Sequence, residues 1–265
     1  LAATVLLASA RQAFAQQPAP PDAAALAKET QNPVAALITV PFQFNFNNGG
    51  DLGQDTLFNL NVQPVIPFKL NEEFNVIART IIPINSAPGP NGTRYSGAGD
   101  IQEQVFVTPS AAGKVVLGVG PAFSLPTATS TGFASGTFAA GVDAVVVKNT
   151  GPFVLGGLVS QIWPVADSGG EPKTDLLTIQ PFVNYNFGDG WALSFSPLIT
   201  ANWDAAEGNQ WTLPLGMGIT RTTVFNGRPM NVGFQYYRNV ERPDGAPAQQ
   251  FRFVLALIYP ERSGH

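Results

Sequence analysis

Residues 174–203 read T-D-L-L-T-I-Q-P-F-V-N-Y-N-F, then G-D-G, then W-A-L-S-F-S-P-L-I-T-A-N-W. From Leu177 to Phe187 one parity carries Leu177, Ile179, Pro181, Val183, Tyr185 and Phe187, and the other Thr178, Gln180, Phe182, Asn184 and Asn186. After the turn, Trp191, Leu193, Phe195, Pro197, Ile199, Ala201 and Trp203 alternate with a more polar set. Period two held this long means a strand with one apolar and one mostly polar face. Gly188-Asp189-Gly190 predicts a tight hairpin turn, because Gly accepts the positive φ that such turns need. Strands in water average about five or six residues. Strands of about 9–11 residues, apolar on one side and ringed by aromatics at both ends, match a bilayer. The stretch therefore reads as one hairpin of an all-β, transmembrane antiparallel up-and-down β-barrel.

Ten further segments of this kind are present, giving about 12 strands in all. The predicted spans are Val34–Asn47, Thr56–Pro67, Phe74–Asn85, Asp100–Pro109, Lys114–Thr127, Gly136–Lys148, Pro152–Val165, the hairpin just described, Gln210–Thr222, Met230–Glu241 and Gln249–Tyr259. Ser86–Gly99 reads as the longest loop. Long loops recur every 38 residues or so, roughly one hairpin per period, and the connections between them are short. Short periplasmic turns and longer extracellular loops are the layout of an outer-membrane barrel, and an even strand number puts both chain ends on the turn side. Aromatics follow the same layout. Phe46, Phe58, Trp163, Trp203 and Trp211 fall at loop ends, and Phe68, Phe74, Phe153, Phe187, Trp191, Phe225 and Tyr259 at turn ends. Such side chains have an apolar body, and Tyr and Trp add a polar tip suited to the membrane interface.

Ahead of the barrel, residues 1–15 read as the remainder of a signal peptide, an apolar run closed by Ala13-Phe14-Ala15. Residues 16–31 are Ala- and Pro-rich and read as a periplasmic lead-in, with one or two helical turns over Ala23–Thr30 that become ordered on docking at or inside the barrel mouth. The barrel is assigned to residues 32–260 and a short tail to 261–265.

Composition removes several classes of function. Charged residues make up 12% and hydrophobic ones 45% of the 265 positions, with a net charge of −4 and no Cys. No apolar run reaches the length of a membrane-spanning helix. The fourteen Lys and Arg are unclustered, which argues against nucleic acid as a partner. The single histidine is His265, so neither an imidazole base nor a His metal site can be built in the barrel, and no enzyme activity, metal or cofactor is expected. Glu72-Glu73 reads as a solvated turn, Gly118-Val119-Gly120 lacks the Lys-Ser/Thr of a phosphate loop, and Asp167–Glu171 is an acidic loop with a weak claim on Ca²⁺.

Two features are left. Pro41, Pro64, Pro83, Pro121, Pro181, Pro197 and Pro214 fall inside the predicted strands, where the missing N–H interrupts a ladder. They predict bulges or strand breaks. Shorter strands of a secreted β-sandwich binding module would also accommodate them. The polar parity is the second feature. With apolar residues toward lipid, the lumen receives Gln43, Asn45, Asn59, Asn61, Gln63, Gln102, Gln104, Thr200 and Thr212 among others, and six residues stand out as candidate pore lining: Arg79, Asp143, Gln180, Asn184, Gln235 and Arg252. An Arg on the lipid side would cost roughly 2–4 kcal/mol at the midplane, so Arg79 and Arg252 must face inward, either in ion pairs with groups such as Asp143 or along a pathway. Ile77, Ile81, Val154 and Leu158 share that face, which predicts a mixed rather than uniformly wet interior.

The segments N-P-V-A-A-L-I-T-V-P-F-Q (32–43), Q-P-V-I-P-F (63–68), G-A-G-D-I (97–101), Q-P-F-V-N-Y-N (180–186), S-P-L-I-T-A-N-W (196–203) and V-E-R-P-D-G (240–245) resemble a family of bacterial envelope transporters related to the MetA-pathway of phenol degradation group. The resemblance spans residues 26–260 and includes the awkward prolines. It implies an outer-membrane barrel, passage of small and often hydrophobic compounds, and no catalytic or binding residues. The expected function is that of a passive channel for small molecules, with a structural or surface-binding barrel as the alternative. Expected partners are outer-membrane lipid, the solute, and the barrel assembly machinery. The row Phe251, Phe253, Leu255, Leu257 and Tyr259 resembles the C-terminal signal read by that machinery.

Overall fold

The computed structural model describes residues 23–35, 37–111, 113–165 and 175–259. The expected signal remnant, the first part of the lead-in, the acidic loop at Asp167–Glu171 and the tail lie outside these residues. Among the described residues the chain forms one short α-helix, α1 (Ala23–Thr30), three single 3-10 turns and fifteen strand segments. These are β1 (Ile38–Asn48), β2 (Thr56–Val62), β3 (Val65–Lys69), β4 (Phe74–Pro88), β5 (Arg94–Ala98), β6 (Ile101–Pro109), β7 (Val115–Leu125), β8 (Ala139–Thr150), β9 (Phe153–Pro164), β10 (Leu176–Gly188), β11 (Trp191–Phe195), β12 (Ile199–Asn202), β13 (Trp211–Phe225), β14 (Arg228–Glu241) and β15 (Gln249–Tyr259). Three pairs of segments, β2 with β3, β5 with β6 and β11 with β12, each continue one another, so the wall has 12 staves. All pairings are antiparallel, and β15 pairs with β1 from Tyr259↔Ile38 to Gln249↔Asn48, which closes the barrel. A closed sheet leaves no ladder group facing lipid without a partner on an open edge.

The hairpin that opened the sequence reading is built as expected, with Gly188 paired to Trp191 and a two-residue turn between them. Asp189 (φ 49) and Gly190 (φ 76) both take positive φ, the conformation that matches the twist of the flanking strands. Asn226 (φ 50) and Gly227 (φ 75) repeat the device between β13 and β14.

Two expectations need correction. Ser86–Gly99 is not one long loop: β4 runs on to Pro88 and pairs with β5, so only 89–93 turns. The first strand begins at Ile38 rather than Val34, and Val34 instead packs inside the barrel.

The prolines divide into breaks, a bulge and tolerated positions. Pro64 separates β2 from β3, and Pro197 separates β11 from β12. At the first break the ladder is patched, since the Gln63 N–H donates to the Pro41 carbonyl (2.8 Å) and the Thr80 N–H to the Pro64 carbonyl (3.1 Å). At the second, pairing stops after Val183↔Phe195 and resumes at Ile179↔Ile199, which sets Pro181 opposite Pro197 with no donor on either. Pro214 lies at a register shift against β14. Between Gln104↔Ala122 and Val107↔Val119 the ladder is also interrupted, beside Pro121.

The outer wall is apolar. Val107, Leu117, Val119, Val142, Val159, Val183, Leu193, Leu215, Met217, Ile219, Phe234 and Phe253 are all exposed on it. Ring contacts tie neighbouring staves at both rims: Phe46–Phe58 (5.2 Å) and Trp203–Trp211 (5.6 Å) at the loop end, Phe153–Tyr185 (5.0 Å) at the turn end. In water these side chains would be an aggregation hazard. Against lipid they are a belt with interface-seeking ends.

The interior is divided. One side holds a packed apolar cluster, Val65, Ile77, Phe106, Val145, Val147, Val154, Leu158 and Phe182, joined by Val34 from the N-terminal segment. The other side is polar. α1 enters at the turn end and packs against β10, β11, β13 and β14. Lys28 Nζ donates to the Gly151 carbonyl (3.0 Å), and Gln31 and Asn186 exchange a reciprocal pair of amide hydrogen bonds (2.9 and 3.0 Å). Leu26, 5% exposed, is buried against Leu37 and Ile258.

Candidate functional site

The lumen beside the apolar cluster holds two cavities in series, each bordered in part by cluster residues. The larger, about 500 Å³, lies toward the loops and the smaller, about 180 Å³, toward the turns. The lower one is floored by Glu29–Pro33 of the N-terminal segment. Five residues line both: Gln43, Gln63, Arg79, Gln180 and Arg252. They come from β1, the β2–β3 break, β4, β10 and β15, and together they ring the junction between the cavities.

Strand geometry delivers them there. Each sits on the inward parity of its stave, and the neighbours of Gln43 and Arg252 on the same strands, Phe42 and Phe253, stand on the outward parity. Arg79, 9% exposed, donates from Nη1 to Gln104 Oε1 (2.7 Å) and from Nη2 to Gln63 Oε1 (3.1 Å). Gln63 passes the polarity on, donating to Gln43 Oε1 (3.4 Å). Arg252, 5% exposed, donates from Nε to Asn45 Oδ1 (2.9 Å) and from Nη2 to Gln250 Oε1 (2.9 Å), with its guanidinium carbon 5.1 Å from the centre of the Tyr237 ring. Amide carbonyls orient the guanidinium groups, and their amide N–H groups face away from them. This satisfies the buried donors without placing a negative charge beside them.

Arg252 and Tyr237 also serve the wall. The Ser196 N–H donates to Tyr237 Oη (3.3 Å), and the Ser196 carbonyl accepts from Arg252 Nη1 (3.4 Å). Ser196 adjoins the break at Pro197, so lumen side chains take over from the missing ladder there.

The six candidate lining residues fall into three groups. Arg79, Gln180 and Arg252 stand in the ring. Asn184 and Gln235 line the lower cavity only. Asp143 lines neither: it is buried, accepts from Gln104 Nε2 (3.2 Å), and is bridged to Arg79 by that glutamine, near enough for the two charges to attract. Among the described residues the ion pair present is Lys69–Glu72, in an exposed turn, so Arg79 and Asp143 are bridged and not directly paired. Sequence reading placed Gln43 and Gln63 in the lumen but did not single them out. Their signal was adjacency to Pro41 and Pro64, where the wall breaks. Tyr237, fully buried, was missed. The set as a whole holds amides, which donate and accept hydrogen bonds, and guanidiniums, which donate them.

No family model matches the sequence, and no curated protein matches it either. Solved structures do. A COG4313 outer membrane channel from Pseudomonas putida F1 superposes with a TM-score of 0.63 at 13% identity, over 84% of this chain and 94% of that one. The NanC porin gives 0.51 at 10% identity, over 85% and 100%. The outer membrane phospholipase of Salmonella typhi gives 0.47 at 10% identity, over 91% and 98%, a likeness too loose to argue from. The fold is that of an outer-membrane β-barrel. At these identities the likeness is one of fold alone, and it agrees with the closed 12-stave wall and its apolar belt. The closed wall with its apolar belt belongs in the outer membrane.

Proposed function

We propose that the barrel is a passive channel for small molecules, apolar and aromatic ones among them. The supporting observation is the pair of cavities meeting at a ring of five side chains, a path through the interior beside the apolar cluster. The resemblance to the phenol-degradation family, and the name of the Pseudomonas putida channel, support the same reading. Apolar side chains on the upper cavity, Ile81, Leu158, Ile162, Leu176 and Leu198, give a solute with a hydrocarbon body a surface to pass along. Reconstitution in planar bilayers is expected to give discrete conductance steps, and liposomes carrying the barrel should swell in small hydroxylated aromatic solutes. A barrel that gave neither would refute the channel. One observation favours a second reading, a plugged barrel whose loops bind at the surface: the N-terminal segment floors the lower cavity. Surface binding without conductance is its signature.

Assembly is the other expected partnership. Phe251, Phe253 and Tyr259 are exposed on β15, with Tyr259 48% accessible at the turn end beside the seam. On the proposal that this row is read by the barrel assembly machinery, Tyr259→Asp sharply lowers the amount of assembled barrel and deletion of residues 261–265 does little. Heat-modifiable migration in membrane fractions measures both, and equal effects would remove the assignment.

A further inference from the structure

We infer that the ring joining the two cavities is an anion filter, and that the solutes it favours are small carboxylates with an apolar body. The inference rests on the channel reading above and adds the charge of the solute to it. Two guanidinium groups, Arg79 and Arg252, face the junction with three glutamines and no carboxylate. The carboxylates that reach the cavities stand away from the ring. Glu29 belongs to α1 at the floor of the lower cavity, and Glu103, which pairs with Thr80 next to the inward pair Arg79 and Gln104, carries its carboxylate on the opposite face of the wall, where it accepts from Thr80 Oγ1 (2.6 Å). Asp143 is set behind Gln104.

Two largely buried positive charges, Arg252 with no carboxylate beside it and Arg79 with Asp143 only across Gln104, attract an anion and repel a cation more strongly than the same charges would in bulk solvent. Rings of Arg or Lys select anions in pores for this reason. The guanidinium fork suits a carboxylate in particular, which accepts two parallel N–H bonds. A carboxylate held at the ring keeps its hydrocarbon part against the apolar wall of the upper cavity, where Ile81, Leu158 and Leu198 stand. The chain as a whole carries a net charge of −4, so a preference set by overall charge would favour cations. The two explanations predict opposite signs.

The test is the reversal potential of the full-length barrel in planar bilayers under a KCl gradient, followed by replacement of chloride with benzoate and of potassium with benzylammonium. Expected are a chloride-to-potassium permeability ratio severalfold above one, passage or transient block of current by benzoate, and neither effect from benzylammonium. In the double variant Arg79→Gln, Arg252→Gln the ratio falls to near one or below, whereas Arg252→Lys, which keeps the charge, retains most of the preference. Because Arg252 also bonds the Ser196 carbonyl, folding is checked by heat-modifiable migration, and the wild-type ratio with the Lys variant decides the matter should the double variant not assemble. A conducting wild type with a ratio at or below one would overturn this inference alone, as would a folded double variant that kept the wild-type ratio. A wild type with no conductance would overturn the channel reading and this one with it.

Discussion

Replacing Leu26 with Asp is expected to raise the single-channel conductance severalfold. Residues 23–35 enter the barrel from the turn end and form the floor of the lower cavity, so they stand in series with any path through the ring. Little holds them. Burial of Leu26 contributes about 2 kcal/mol, and the Lys28–Gly151 and Gln31–Asn186 hydrogen bonds contribute about 1 kcal/mol each. A carboxylate placed against Leu37 and Ile258 forfeits the first term and adds a desolvation cost larger than either. The helix then leaves its seat while the wall, which it does not help to close, stays intact. Gln31→Ala removes only the amide pair and should give an intermediate effect. Single-channel recordings at fixed salt check both, and a conductance in Leu26→Asp equal to wild type would show that the segment does not obstruct the path.

Gly120→Ala is expected to prevent a stable barrel from forming. A Cβ at Gly120 would lie 1.7 Å from the Val105 carbonyl oxygen, and a Cβ has no rotamer by which to move aside. The neighbouring ladder is already interrupted beside Pro121, so the two strands approach each other there without the spacing that regular pairing imposes. Gly141 is similar, with the Gln161 carbonyl oxygen at 1.8 Å from the position of its Cβ. Relief requires backbone displacement in both strands, and losses on the order of 4–5 kcal/mol are the range in which such single substitutions fall. Gly157 is the control, since a Cβ there meets nothing closer than 3.9 Å. Urea titration of the barrel in detergent or lipid, read by heat-modifiable migration, separates the cases: Gly157→Ala near wild type, Gly120→Ala unfolded or much weakened. A Gly120→Ala barrel as stable as wild type would contradict the close approach.

The wall was legible because alternation reports on which side of a strand meets lipid. It ran clearly through 177–187 and 38–47, and both are strands with the expected parity inward. Arg94–Ala98 does not read as a strand, because Arg-Tyr-Ser-Gly carries no apolar parity. This segment pairs with 84–88 at the level of the loop-end belt and beyond, where both faces of a strand can be polar. The breaks at Pro64 and Pro197 could be suspected but not told apart from tolerated prolines such as Pro41. Pairing resumes after each in the same register, as Phe42↔Val62 and Thr39↔Val65 show, so the side-chain pattern passes through undisturbed. The ring was only partly legible. Parity puts a residue in the lumen, but it does not say at what height it meets residues of staves on the far side. That height depends on the tilt of the wall and on which half of the interior the apolar cluster fills. Gln43 and Gln63 therefore looked like any other lumen amides, and Asp143, on the same parity as its pore-facing counterparts, is covered instead by Gln104.

The seam between β1 and β15 has a kinetic meaning. Its partners, Ile38 and Tyr259, are separated by almost the whole described chain. Hairpins such as 176–202 and 211–241 close over short distances and can form early, whereas the seam is the contact with the greatest loop-closure entropy. Until it forms, β1 and β15 each offer a full row of unpaired backbone groups to any strand that comes near. The last stave to be synthesised is thus the one that ends the exposure of the first. Residues 23–35, which lie inside the finished cylinder at its turn end, can be drawn in while the wall is still an open sheet. Once the seam has closed, the only other way in is past the turn-end rim.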